Sequence, residues 1–116
     1  MLPDDEIRLR HIVDAAREAG VFLAGKKRAD LDSDRMLVLA LVKEVEIIGE
    51  AAAKISDRCR SAYPQIPWPD IVGMRNRLVH AYFDINLNIV WTTATEELPT
   101  LRMQVEQILW ADPGPA

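Results

Sequence analysis

Apolar residues recur in steps of three and four along most of this chain. Behind "PDDE" at Pro3 to Glu6, the residues Ile7, Leu9, Ile12, Val13, Ala16 and Leu23 follow roughly helical spacing, and Gly25 suits a helix end. The early proline and the carboxylates fit the positive end of that helix. The clearest run is Val38, Leu41, Val45, Ile48, Ala52, Ile55, Cys59 and Ala62, which predicts one long helix from about Ser33 to about Ala62 as the spine of a bundle. Leu37, Ala40, Ile47 and Ala51 add a second stripe, so this spine meets neighbours on two sides. Gly49 lowers its helix propensity but permits close approach of another helix.

"YPQIPWPD" carries three prolines within six residues and must interrupt the helix. The pattern then predicts a third helix over about Asp70 to Tyr82 and a fourth capped by Asp84 and carrying Leu87, Val90, Trp91 and Ala94. Pro99 is expected to end the fourth and start a fifth, along which Leu101, Val105, Ile108 and Leu109 run to a polar tail at about 111–116. "KKRADLDSD" reads as a charged connection. No strand pattern stands out, so the expected fold is an all-α up-down bundle of four to five helices.

Composition narrows the reading. The 116 residues suffice for one modest core, so a single domain is expected over 1–116, and anything larger must come from self-association. No apolar run approaches the ~20 residues of a membrane span, and the acidic start lacks the layout of a secretory signal. A cytoplasmic protein without membrane attachment is expected. One cysteine, Cys59, and two distant histidines give no metal-ligand spacing, and no cofactor is implied. Cys59 reads as a small core residue.

The net charge of −4 argues against general nucleic-acid coating, but the charge is uneven. Pro69 to Tyr82 holds two arginines and one aspartate, whereas Phe83 to Ala116 holds five acids against Arg102 alone. The first of these segments contains "MRNRLVHAYFDIN", Met74 to Asn86. On an ideal helix Asn76 and His80 share a face, and Arg75 lies about 140° round from His80. Arginine with histidine suits cleavage of RNA by its own ribose hydroxyl. Imidazole moves the proton and guanidinium offsets the charge developing on phosphate. A two-fold dimer would double this set.

"MRNRLVHAYFDIN" resembles the Arg-polar-x3-His-x-Tyr motif of the HEPN superfamily and, more narrowly, of the HepT toxins. "EIIGEAAAKIS", "WPDIVGMRNRLVHAYFDIN" and "NIVWTTATEELPTL" also follow that family's order and spacing. The resemblance implies a HEPN-like homodimer and a metal-independent endoribonuclease that leaves 2′,3′-cyclic phosphate ends. It also implies a toxin–antitoxin pair of type VII-like organisation, in which a minimal nucleotidyltransferase of MntA type silences the toxin by AMPylation. Carried over by residue, Arg75 and His80 are the catalytic pair, Asn76 supports them, and Tyr82 is the modified residue. Arg77 falls on another face and reads as a surface charge or phosphate guide.

Glu46 and Glu50 resemble a solvated face paired with Lys43 and Lys54, with Glu50 the better candidate to orient Arg75. His11 reads as solvent-facing. Trp68, Trp91 and Trp110 are too scattered for a base-stacking platform. Two rival readings remain: a catalytically silent HEPN module that binds a nucleotidyltransferase and presents its substrate, and a plain helical dimerisation domain.

Overall fold

The structure, a computed structural model, describes residues 1–81 and 83–112. It is mainly helical, and its frame is three long helices. α1 (Pro3–Leu23) packs against both α3 (Arg35–Ala53) and α8 (Leu98–Ala111). Between them lie four short helices, α2 (Asp30–Ser33), α4 (Asp57–Ala62), α5 (Trp68–Val72) and α6 (Met74–Leu78), followed by a small hairpin of β1 (Val79–Ala81) and β2 (Asp84–Ile85) and then α7 (Leu87–Thr92). Leu9, Ile12, Leu41, Val45, Ile48, Leu98 and Val105 are fully buried along the seam of the long helices. Replacing any of the larger ones with alanine removes apolar burial and leaves a cavity, at a cost of about 2–5 kcal/mol.

α1 begins and ends as its sequence suggests, with Pro3 in its first turn and Gly25 at φ +76° just beyond its end. The predicted spine does not run to Ala62. It stops at Ala53, because Asp5 of α1, itself buried, accepts hydrogen bonds from Ser56 N at 2.9 Å and Ser56 Oγ at 2.6 Å. Ser56 is thereby held with extended backbone and caps α4 by accepting from Cys59 N. Arg60 closes the break from the other side, donating to Ala52 O and Ala53 O at the end of α3 and to Ile55 O just beyond it. Cys59 is buried as expected, and its thiol pKa is raised, first by burial and then by the charges of Asp5 and Asp112. It is a protonated core residue.

The predicted third helix is also divided. α5 ends at Val72, α6 spans Met74–Leu78, and from Val79 the chain is extended, pairing Val79 with Ile85 and Ala81 with Asp84. "VHAYF" is rich in β-branched and aromatic residues, which fit a pleated surface better than a helix end. Asp84 therefore lies in β2. The cap of α7 is Asn86, whose side chain accepts from Ile89 N.

Pro99 stands in the first turn of α8, as expected of a helix start, but the chain does not break before it. α7 passes through a π-helical turn, Thr93–Glu97, into α8, and the cap positions on both sides of the turn keep helical dihedrals. The wider turn accommodates a proline that has no N–H and whose ring would meet the carbonyl four residues back. The charged connection after α1 contains the short α2. Asp112 accepts from the Tyr63 hydroxyl at 2.7 Å and lies 3.5 Å from the Met1 amino group; the remainder of the expected tail, 113–116, lies outside the described residues. Among the described residues no helix is long and apolar enough to cross a membrane.

Candidate functional site

Gly49 decides how the motif meets the bundle. A β-carbon there would lie 3.4 Å from the carbonyl oxygens of both Ile71 and Val72, so α5 sits directly on the α3 backbone. That close seat brings α6 alongside α3, where Arg75 Nε donates to Glu46 Oε1 at 3.3 Å. Glu46 also lies 3.7 Å from Lys43 Nζ. The carboxylate that holds the guanidinium is thus Glu46, one turn before the expected Glu50. The i,i+3 pairing with Lys43 that the sequence assigns to Glu46 coexists with that bond.

Glu46, Gly49, Glu50, Ala53, Val72, Arg75 and Asn76 line one open cleft of about 390 Å³. The Arg75 side chain is 43% exposed, so its guanidinium meets solvent within this cleft. Glu50 forms part of the wall beside it. Asn76 is exposed on the cleft's rim.

His80 is displaced from its expected position. Because α6 stops at Leu78, His80 stands on β1, exposed, and does not share a helix face with Asn76. It is outside the lining of the Arg75 cleft, although only four residues separate the two in the chain. Arg77 points elsewhere, as its helical offset implies. It lies 3.9 Å from Glu97 Oε1 and borders a separate groove with Met74, Ile71 and Leu101. Tyr82 lies outside the described residues.

His11 is exposed as expected. Trp68 is buried and donates its indole N–H to Tyr63 O, Trp91 is half-buried, and Trp110 is 90% exposed on α8, so the three form no common platform. Among the described residues no group of three or more His, Cys, Asp or Glu side chains is placed to hold a metal ion.

Residues 12–108 match the family model described as "Ribonuclease HepT-like". The chain belongs to that family. Named relatives of the HepT-like chain span most of it. A candidate RNase of Caldanaerobacter subterraneus subsp. tengcongensis is 37% identical over 101 residues, covering 87% of this chain and 90% of that one. A candidate RNase of Methanocaldococcus jannaschii is 32% identical over 98 residues, covering 84% and 90%. A candidate ribonuclease HepT of Thermococcus cleftensis is 34% identical over 79 residues, covering 68% and 72%. No solved structure gives a significant match.

Within the HepT-like fold seen here, the sequence located the motif but not the partner of its arginine. Glu46 and Glu50 both fall on the outer face of α3, and only the seat of α5 on Gly49 selects between them. The hairpin had a signal, the run of β-formers after Leu78, but helical periodicity through Val79 masked it.

Proposed function

We propose that this chain is the toxin of a type VII-like toxin–antitoxin pair. It is a metal-independent endoribonuclease that acts as a homodimer and is silenced when a partner nucleotidyltransferase antitoxin AMPylates Tyr82. In the reaction the ribose 2′-oxygen bonds to the adjacent phosphorus and the bond from phosphorus to the 5′-oxygen breaks, leaving a 2′,3′-cyclic phosphate. His80 takes the hydroxyl proton or returns one to the leaving oxygen. Arg75 offsets the charge that builds on the phosphoryl oxygens. Asn76 and Glu50 support the cleft, and Arg77 guides the strand from its own face.

The observation that carries this reading is an arginine fixed by Glu46 in an open cleft, with an exposed histidine five residues further on, in a chain of a ribonuclease family. Assembly has its own support. Met36, Leu39, Lys43, Glu46, Glu50 and Ala53 follow alternating steps of three and four along the outer face of α3, the spacing of a helix–helix seam. Met36 is 83% exposed, and Leu39 and Val72 leave further apolar surface beside the cleft. A second copy seated there would cover that surface and bring another His80 towards the arginines. One observation favours the silent-module reading: the charge of Arg75 is already paired with Glu46, which weakens its pull on phosphate.

Incubating the purified protein with RNA, with and without chelator, separates the two readings. Cleavage that survives chelation is expected, and a chain that leaves RNA intact would be the silent module. His80→Ala should lose about 10²–10⁴-fold in rate, the usual contribution of general acid–base catalysis. A His80→Ala variant that cleaves as fast as the parent would remove His80 from the mechanism.

A further inference from the structure

Across α3 from Arg75 lies a second cleft, of about 200 Å³, lined by His11, Asp14, Ala15, Glu18, Glu44 and Ile47. Glu44 and Glu46 are two residues apart, hence about 160° apart round the helix, so this cleft opens on the α1 side of the spine. Three of its six lining residues are acids and none is Lys or Arg. Asp14 already has a cationic partner, Arg17 Nη1 at 3.7 Å, whereas Glu44 is hydrogen-bonded to another acid, Glu18. The Glu44 side chain is 97% buried, being 3% exposed, and its Oε2 is enclosed without a hydrogen-bond donor.

A carboxylate oxygen enclosed in this way costs on the order of 1–3 kcal/mol or more unless something satisfies it. Ala15 and Ile47 supply an apolar wall and Glu18 a second acid on the facing helix. The arrangement matches a flat or tetrahedral nitrogen cation on a slender alkyl stem: the head meets the acids and the stem lies against Ala15 and Ile47.

We propose that this cleft is a binding site for an alkylguanidinium or alkylammonium group, with Glu44 as its buried anion and Glu18 as the second acceptor. Such a group comes either from a free small cation or from the side chain of a partner protein's arginine or lysine. Without it, Glu44 keeps a proton below about pH 7: burial first, then the hydrogen bond and charge of Glu18, push its pKa up to about 7. Binding therefore releases that proton to solvent while the ligand keeps its own. The other titratable groups facing Glu44 are His11, Asp14 and Glu18, all on α1.

The test is an NMR titration of the side-chain carboxyl carbons, with agmatine as the free cation and a blocked Ala-Arg-Ala tripeptide as the side-chain source. Saturable shifts at Glu44 and Glu18 are expected. Affinity should rise roughly tenfold between about pH 6 and about pH 8, as the fraction of ionised Glu44 grows around a pKa near 7. Tighter binding of the tripeptide identifies a partner's side chain, and tighter binding of agmatine a free ligand. Glu44→Gln, and separately Glu18→Gln, should abolish the shifts of the remaining carboxyl. Failure of both probes, or shifts that persist undiminished in Glu44→Gln, would overturn the proposal.

Discussion

At the scale of single residues, the two carboxylates that matter most are the ones the sequence ranked low or passed over. Glu46 takes Arg75, and Glu44, two positions earlier, turns inwards to meet Glu18. The pKa of Glu44, about 7, lies above the ordinary carboxyl value of 4.5, so between the two the folded state holds a proton that the unfolded chain gives up. The linked stabilisation is complete below about pH 4.5 and lost as pH rises through about 7. It amounts to a few kcal/mol at most.

Glu44→Gln keeps the shape and removes the titration. Chemical denaturation should show the variant gaining on the parent between about pH 5 and 7, then holding a constant advantage. Parallel stability curves for the two proteins across that range would contradict the buried carboxyl. The sequence contained both acids of this pair, but their separation of 26 positions gave no reason to join them until α1 and α3 packed together.

At the scale of elements, the decisive contact is α5 on Gly49. Gly49→Val adds a branched side chain where two carbonyl oxygens lie 3.4 Å from the β-carbon position. The backbone of α5 must yield, at about 1–3 kcal/mol. The shift would carry α6 and Arg75 away from Glu46, so RNA cleavage should fall further than the loss of stability alone explains. Melting temperature and cleavage rate measured on the same sample distinguish this from simple unfolding. Full activity in a stably folded Gly49→Val would show that the seat of α5 does not position the arginine. The close approach itself was legible, because a glycine inside so regular an apolar pattern has a cost that packing must offset.

At the scale of the whole molecule, one chain is thin, 19 Å in its smallest backbone extent against 48 Å in its longest. That is about two helix diameters, and the Arg75 cleft lies open to solvent on it. Light scattering at micromolar concentration should give about twice 13.1 kDa, and Met36→Glu on the exposed stripe should shift the protein towards monomer and reduce cleavage with it. A fully active monomer would place the whole site within one chain. The proposed control is tested by Tyr82→Phe, which removes the hydroxyl proposed as the acceptor. With a nucleotidyltransferase partner and ATP present, intact mass should show no AMP adduct on this variant. Adducts that persist on it would assign the modification to another residue.

The sequence by itself determined the long helices, their buried stripes and the location of the motif, because periodicity and proline act within a few residues of one another. Resemblance carried it to the family. Tertiary structure decided where those helices stop and what the charged residues meet. The spine ends at Ala53 because Asp5, about fifty residues earlier, captures Ser56, and no local pattern encodes that bond. The motif leaves its helix at Leu78 because a strand partner, Asp84–Ile85, is present to receive it. Arg75 bonds Glu46 rather than Glu50 because Gly49 lets one backbone rest on another. The first and last of these depend on groups far apart in sequence, Asp5 with Ser56 and Arg75 with Glu46, whose distance packing sets.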